Sequence, residues 1–301
     1  MVAGTTPEGP GPTGVQARPS RRRRVYLEPV PLGDLDAYLR RLGLDASATL
    51  AEIHRAHATT IPFENFDPLG GRPVSLELER LEEKMVANRR GGYCFEHNLL
   101  LKAALESLGG YEVSTFLARV RAGRPPDPRG PLNHLLLKVV RGDTTWLADV
   151  GFGGAGLLDP IPFATGVESD QSGWRYRVVP EGDELVVQGF HDGAWTDYYV
   201  FVPQPAPFAD IEVGNWFTST HPSSPFVTGV FAGARRADRC LSLFAGDQAV
   251  VVERPVGGAS TTTEIDLDQV PRILADRFGL AGVHRDAEGR FGITEPAGVG
   301  E

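Results

Sequence analysis

The sequence predicts an α+β protein built in three successive segments, and three observations carry that reading. Apolar residues recur at helical spacing from Asp34 to about Gly110. Beyond Gly110 the period drops to two, with turn dipeptides between the runs. From Pro222 onward short apolar runs lead into one last helical pattern. With 301 residues the chain can bury a real core, in one large domain or two to three small ones.

In the first segment Leu35, Tyr38, Leu39 and Leu42 make one helix face, with Gly43 as its stop. Ser47 is the expected N-cap of a second helix running through Leu50, Ile53 and His57, and Pro62 ends that region. Glu77 to Ala87 reads as a short amphipathic helix with Leu78, Leu81, Met85 and Val86 on one side. A further helix starts at Cys94 and runs to about Leu108, with Leu101, Leu105 and Leu108 inward and Gly109-Gly110 closing it. Val113, Thr115, Leu117 and Val120 then alternate. Strand-like runs follow at Leu135–Val140, Trp146–Val150, Trp174–Val179, Leu185–Phe190 and Trp195–Phe201, separated by Gly142-Asp143, Gly182-Asp183 and Asp192-Gly193. That is the pattern of a meander or small barrel. In the last segment Phe226–Phe231, Cys240–Phe244 and Gln248–Val252 read as strands and Leu267–Phe278 as a helix.

Composition narrows the function. A formal net charge of −9 argues against nucleic acid as a partner, because phosphate binding wants a basic surface. No run of eighteen or more apolar residues is present to span a membrane. Two cysteines, Cys94 and Cys240, make no disulfide framework, and nothing completes a zinc site around Cys94 and His97, so no metal is expected. The default expectation is a reduced cytoplasmic protein, with Cys240 buried and inert. Residues 1–24, rich in Gly, Pro, Thr and Ser and ending in four arginines, cannot build a core. They read as a disordered tail with a solvated charge run, and no apolar stretch follows to make a secretory signal.

The chemistry concentrates in Arg89-Arg90-Gly91-Gly92-Tyr93-Cys94-Phe95-Glu96-His97-Asn98. Two glycines permit a tight backbone approach. Cys94 then falls in the first turn of a helix, where unpaired amides and the positive end of the macrodipole favour thiolate over thiol. A cysteine nucleophile needs a base. His134 opens an otherwise apolar strand, and Asp149 lies on the next strand across the Gly142-Asp143 turn. With a two-residue loop, 141 pairs with 144 and 136 faces 149, which puts His134 two residues away on the same face as Asp149. A loop one step earlier would set the two directly opposite. Either way Asp149 can hold one imidazole nitrogen while the other faces the thiol. His97, one helical turn past Cys94, is the rival base, but it has no evident orienting carboxylate.

Arg-Gly-Gly-Tyr-Cys-Phe-Glu, Asn133-His134-Leu135 and Asp149-Val150-Gly151-Phe152-Gly153 together resemble the signature segments of the arylamine N-acetyltransferases. Ile61-Pro62-Phe63-Glu64-Asn65 and the stretch from Asn215 to Pro222 are similar to further family motifs, and the resemblance runs from about Tyr26 to about Leu280. It implies a helical bundle carrying the nucleophile (25–110), an antiparallel β-barrel carrying the histidine and aspartate (111–221) and an α/β lid (222–301), with the Cys94–His134–Asp149 triad at the junction. It also implies that Arg90 pairs with Glu64, that Phe63 and Phe152 line the acceptor pocket, and that Gly151 and Gly153 leave amides free near the acyl donor. The implied reaction is ping-pong transfer of acetyl from acetyl-CoA, a co-substrate and not a bound cofactor, to an arylamine or arylhydrazine. An amide synthase that closes a macrolactam from a polyketide on an acyl carrier protein is the alternative on the same fold. A papain- or transglutaminase-like hydrolase shares the chemistry. A degenerate binding module would have lost part of the triad, and all three residues are present.

Overall fold

Asp34 accepts the amide of Ala37 at 2.7 Å and so starts α1 (Leu35–Leu42), and Gly43 ends it at φ 73°. The computed structural model describes Met1 and residues 31–122 and 130–294; the expected N-terminal tail lies outside these. The second helix, α2 (Leu50–Thr60), is capped by Thr49 and not by Ser47. Thr49 and Glu52 form a reciprocal capping box, while the Ser47 hydroxyl bonds back to Asp45. The glutamate three residues after Thr49 was the better signal.

After β1 (Phe63–Glu64) and the short α3 (Phe66–Leu69), α4 (Leu78–Leu81) passes directly into a π turn over Glu82–Ala87. The helix expected there is present, but its second half is wound wider. Next comes α5 (Cys94–Leu108), ended at Gly109. Leu101 and Leu105 are fully buried and Leu108 half-buried, in a core with Tyr38, Ile53, Met85 and Phe95.

The period-two region forms β2 (Glu112–Val120), β3 (His134–Arg141), β4 (Thr144–Ala148), β5 (Ile161–Pro162), β6 (Glu168–Gln171), β7 (Trp174–Glu181), β8 (Glu184–His191) and β9 (Ala194–Phe201). These make one antiparallel eight-stranded sheet, ordered β5-β4-β3-β2-β9-β8-β7-β6, that curls into a nearly closed barrel. Phe116, Leu136, Leu147, Tyr176 and Phe201 pack in one buried cluster within it. The other face of β3 sends Leu135 and Leu137 into the helical core, so this strand is apolar on both sides.

The sequence reading has no helix at α6 (Phe208–Thr220), which follows the barrel and packs back on the helical segment through Ile211 and Asn215. Its buried residues are Ile211, Gly214, Asn215, Thr218 and Ser219. A helix buried through small and polar side chains leaves no apolar stripe to detect.

The expected strand Phe226–Phe231 begins instead as a 3-10 turn, Pro225–Val227, capped by Ser224. The strand proper, β10 (Val230–Arg235), starts later. Proline at the first turn position and the serine before it favour that turn over a strand. β11 (Arg239–Ala245) and β12 (Ala249–Pro255) follow, and then β13 (Thr261–Ile265), an exposed edge strand whose polar residues carry no alternation. β1 joins the opposite edge, giving the order β1-β10-β11-β12-β13. The helix expected at Leu267–Phe278 is a 3-10 turn (Leu267–Gln269), α7 (Val270–Ile273) and a π turn (Leu274–Phe278) in succession. A small hairpin of β14 (Val283–Arg285) and β15 (Phe291–Ile293) packs on the same cluster. No helix among the described residues is long and apolar enough to cross a membrane.

Candidate active site

Cys94 is the first residue of α5 and is 3% exposed, with Sγ 3.5 Å from the Asn133 carbonyl oxygen. His134 is the first residue of β3. Arg141 pairs with Thr144 and Leu137 with Ala148, so the turn is the two-residue loop and the first of the two predicted registers holds. The ladder stops at Ala148, and Asp149 lies just beyond it. From there Oδ2 of Asp149 meets Nε2 of His134 at 2.8 Å. The other ring nitrogen is left to serve Cys94, which lines the same cavity as His134.

Asp149 has no solvent exposure, so its charge must be met from within. Its Oδ1 accepts from Nδ2 of Asn98 and from the Gly151 amide, both at 2.9 Å. Asn98 is four residues past Cys94, on the same face of α5. It also donates to the Leu135 carbonyl at 2.7 Å and accepts from the Val150 amide at 3.1 Å. One asparagine thus fixes the start of β3 and the end of β4 against the helix that carries the thiol. A Cβ on Gly151 would lie 2.6 Å from Cα of Cys94, so only glycine lets this loop come so near.

Burial alone would lower the His134 pKa, but the Asp149 carboxylate and the Cys94 side chain reverse this and push it up to about 10. Burial would raise the Asp149 carboxyl; His134, Asn98 and the Gly151 amide hold it below its ordinary value instead. His97 lies elsewhere. Its Nδ1 meets Nε2 of His57 at 2.8 Å, and its Nε2 donates to the carbonyls of Pro62 and Gly92 at 3.2 and 3.1 Å. Both nitrogens are used and neither serves the thiol.

The Arg90–Glu64 pair expected from the sequence is formed at 2.8 Å, within a larger buried group. Arg90 also reaches Asp67 at 2.9 Å, and Lys84 bridges Asp67 at 2.6 Å and Glu96 at 2.7 Å. Glu96 in turn accepts the Tyr93 amide at 3.0 Å, so these charges brace the residue that leads into Cys94.

A cavity of about 740 Å³ opens onto Cys94 and His134. Phe63, Phe152, Gly151 and Gly153 all line it. From His134 an aromatic wall runs to Phe152 (5.3 Å between centroids), Tyr198 (4.9 Å, stacked) and His191 (6.3 Å, stacked). Arg254 stands by that far end. It donates to Ser260 Oγ at 3.0 Å and forms no ion pair among the described residues. Cys240 is buried beside Arg235 and Arg254 on the neighbouring strands, and burial raises its pKa. Sequence reasoning missed Asn98, His54, Lys84 and Arg254. For Asn98 a signal existed, namely its i+4 spacing from Cys94.

A helix-start cysteine, a histidine already paired to a buried acid and a cavity that reaches both are the parts that acyl transfer through a thiol requires. The family model described as N-acetyltransferase matches residues 47–286. An arylamine N-acetyltransferase of Mycolicibacterium smegmatis is 39% identical over 259 residues, covering 82% of this chain and 92% of that protein. One from Escherichia coli is 37% identical over 197 residues, 64% of this chain and 69% of that one. The solved structure of Mycobacterium marinum arylamine N-acetyltransferase in complex with CoA superposes with a TM-score of 0.75 at 37% identity, covering 82% of this chain and 92% of that one. The chain belongs to the arylamine N-acetyltransferase family.

Proposed function

We propose that the protein transfers acetyl from acetyl-CoA to the nitrogen of arylamines or arylhydrazines by a ping-pong route through S-acetyl-Cys94. The observation that carries this reading is the 2.8 Å pairing of His134 with buried Asp149, with Cys94 on the same cavity wall as His134; the carboxylate raises the pKa of the imidazole and favours its protonated form. Cys94 sulfur attacks the thioester carbonyl, and CoA leaves as its thiol, taking the proton held by His134. The amine then attacks the acetyl-cysteine, His134 accepts the proton the nitrogen sheds, and Cys94 is restored. Asp149 fixes the tautomer and steadies the imidazolium. Amides in the first turn of α5, that of Cys94 included, have no intrahelical acceptor and can hold the oxyanion. Arylamines suit the site because their nitrogen is neutral and nucleophilic at pH 7.

Phe63 and Phe152 would bracket the aromatic acceptor, and Gly151 and Gly153 would leave room for the donor; the Gly153 amide could meet it, but the Gly151 amide, expected to be free, is instead taken by Asp149 Oδ1. Arg254, at the end of the aromatic wall, offers an uncommitted charge to the CoA phosphates. The division into a nucleophile segment (25–110), a barrel (111–221) and a lid (222–301) is part of the same proposal. Three apolar clusters broadly follow it, although β3 and α6 both send residues into the first, Phe66 joins the cluster of the last segment and Cys240 joins that of the barrel. A cytoplasmic setting fits a free thiol nucleophile and a CoA substrate. The carrier-protein amide synthase is the less favoured reading, since the relatives matched over most of their length are arylamine N-acetyltransferases.

The test is CoA release from acetyl-CoA with and without an aminobenzoate or hydralazine. Release that depends on the amine in wild type and falls to background in Cys94→Ala is expected. A folded wild-type protein that releases no CoA from any small acyl-CoA would overturn the proposal and favour the amide synthase.

A further inference from the structure

His54, on α2, is fully buried, and both of its ring nitrogens are committed. Its Nε2 accepts the backbone N–H of Asp149 at 3.1 Å, and its Nδ1 faces the Leu158 carbonyl oxygen at the same distance. An amide can only donate, so Nε2 is the bare nitrogen and Nδ1 carries the hydrogen given to Leu158. Burial keeps the ring neutral, with its pKa lowered to about 4. One side chain therefore grips both ends of the loop 149–158.

That loop carries Asp149, Gly151, Phe152 and Gly153, three of which line the cavity. Glycines at 151, 153, 154 and 156 give it little intrinsic order, so its shape must come from its anchors. The far anchor is redundant. Gln171 Oε1 accepts the amides of Leu158 and Asp159 at 2.9 and 3.0 Å, and Arg55 pairs with the Asp159 carboxylate. At the near end Asn98 holds one oxygen of the Asp149 carboxylate and the Val150 amide, but the Asp149 amide lies past the last ladder pair, and His54 is its acceptor.

We infer that His54 is a positioning residue that clamps the loop 149–158 and thereby sets the Asp149 carboxylate against His134. Nothing in the reaction touches His54; it acts through Asp149. Without the acceptor, a buried N–H stands unpaired next to the acid that orients the base. The loop then relieves this by moving, and the carboxylate moves with it. The inference rests on the triad reading proposed above.

The experiment compares His54→Gln, His54→Asn and His54→Leu, each checked for native circular dichroism, with Asp149→Asn as reference. The readouts are the rate of Cys94 alkylation by iodoacetamide at pH 7 and turnover of acetyl-CoA with an aminobenzoate. Glutamine reaches as far as Nε2 and carries both an acceptor and a donor, so it should stay close to wild type. Asparagine reaches only as far as Nδ1, keeping Leu158 and losing Asp149. It should lower both rates by about tenfold to a hundredfold, as displacement of an orienting group does, and leucine should lower them at least as far. A folded His54→Asn protein with wild-type rates would overturn the inference, as would a folded His54→Gln protein no faster than His54→Leu. Should Asp149→Asn alkylate as fast as wild type, the triad reading itself falls, and the clamp with it. Because alkylation needs neither CoA nor amine, a wrong substrate class cannot masquerade as either result.

Discussion

The helical segment and the barrel both bury histidine, and they bury it in opposite charge states. His54, His57 and His97 on α2 and α5 are inaccessible, and burial holds each below its ordinary pKa, His54 and His97 at about 4. His134, at the start of β3, is no more exposed and is pushed up to about 10. The difference is the partner. The three helical rings face an amide, carbonyls, a tyrosine and one another. In a single directed chain the Tyr38 hydroxyl donates to His57, His57 to His97, and His97 to the Pro62 and Gly92 carbonyls. Of these four buried rings, only His134 meets a carboxylate within hydrogen-bonding distance. Burial sets the cost of charge, and the neighbour decides whether it is met.

The sharpest way to break this contrast is Asp149→Asn, which makes His134 resemble the other three. Turnover of the folded protein should fall by roughly a thousandfold to ten-thousandfold, measured as amine-dependent CoA release. A smaller effect comes from pH. The unfolded chain protonates His54 and His97 as pH falls through 6.5, the folded chain only near 4, so the unfolded state binds more protons in that window. Stability should therefore drop as pH falls from 6.5 to 4, by an amount of the order of 3 kcal/mol per ring. His134 acts with the opposite sign: its contribution is complete below 6.5 and is lost as pH rises through about 10. Denaturant unfolding across pH 4 to 10 should show decline on both flanks. The smallest effect is Tyr38→Phe, which removes the first donor of the chain and should cost about 1 kcal/mol in the same assay, with turnover intact.

What could be read in the sequence follows the same division. The His134–Asp149 arrangement was legible because strand parity and a two-residue turn are arithmetic, and the Cys94 position because helix starts carry local signals. Apolar periodicity found α1, α5 and the barrel strands β2 to β4 and β7 to β9, but not the short β5 and β6. It did not find α6, whose buried face is Gly214, Asn215, Thr218 and Ser219, nor β13, whose side chains face solvent. Nor could it reveal Asn98, His54 or Lys84. Their contacts join residues 37 to 104 positions apart or meet within a charge cluster, and long-range hydrogen bonds leave no period. Where the interior is held by polar pairing, hydropathy is silent.

The charge cluster of Glu64, Asp67, Lys84, Arg90 and Glu96 beneath the Cys94 loop has a thermal consequence. The hydration that ions forgo on burial weakens on heating, whereas apolar burial gains little per unit area. The support under the Cys94 loop thus holds its strength in warmth better than the Val- and Leu-rich cluster beneath β10 to β12 does. On heating, the sheet around α7 should loosen first, and the thiol should keep its place until the helical segment melts.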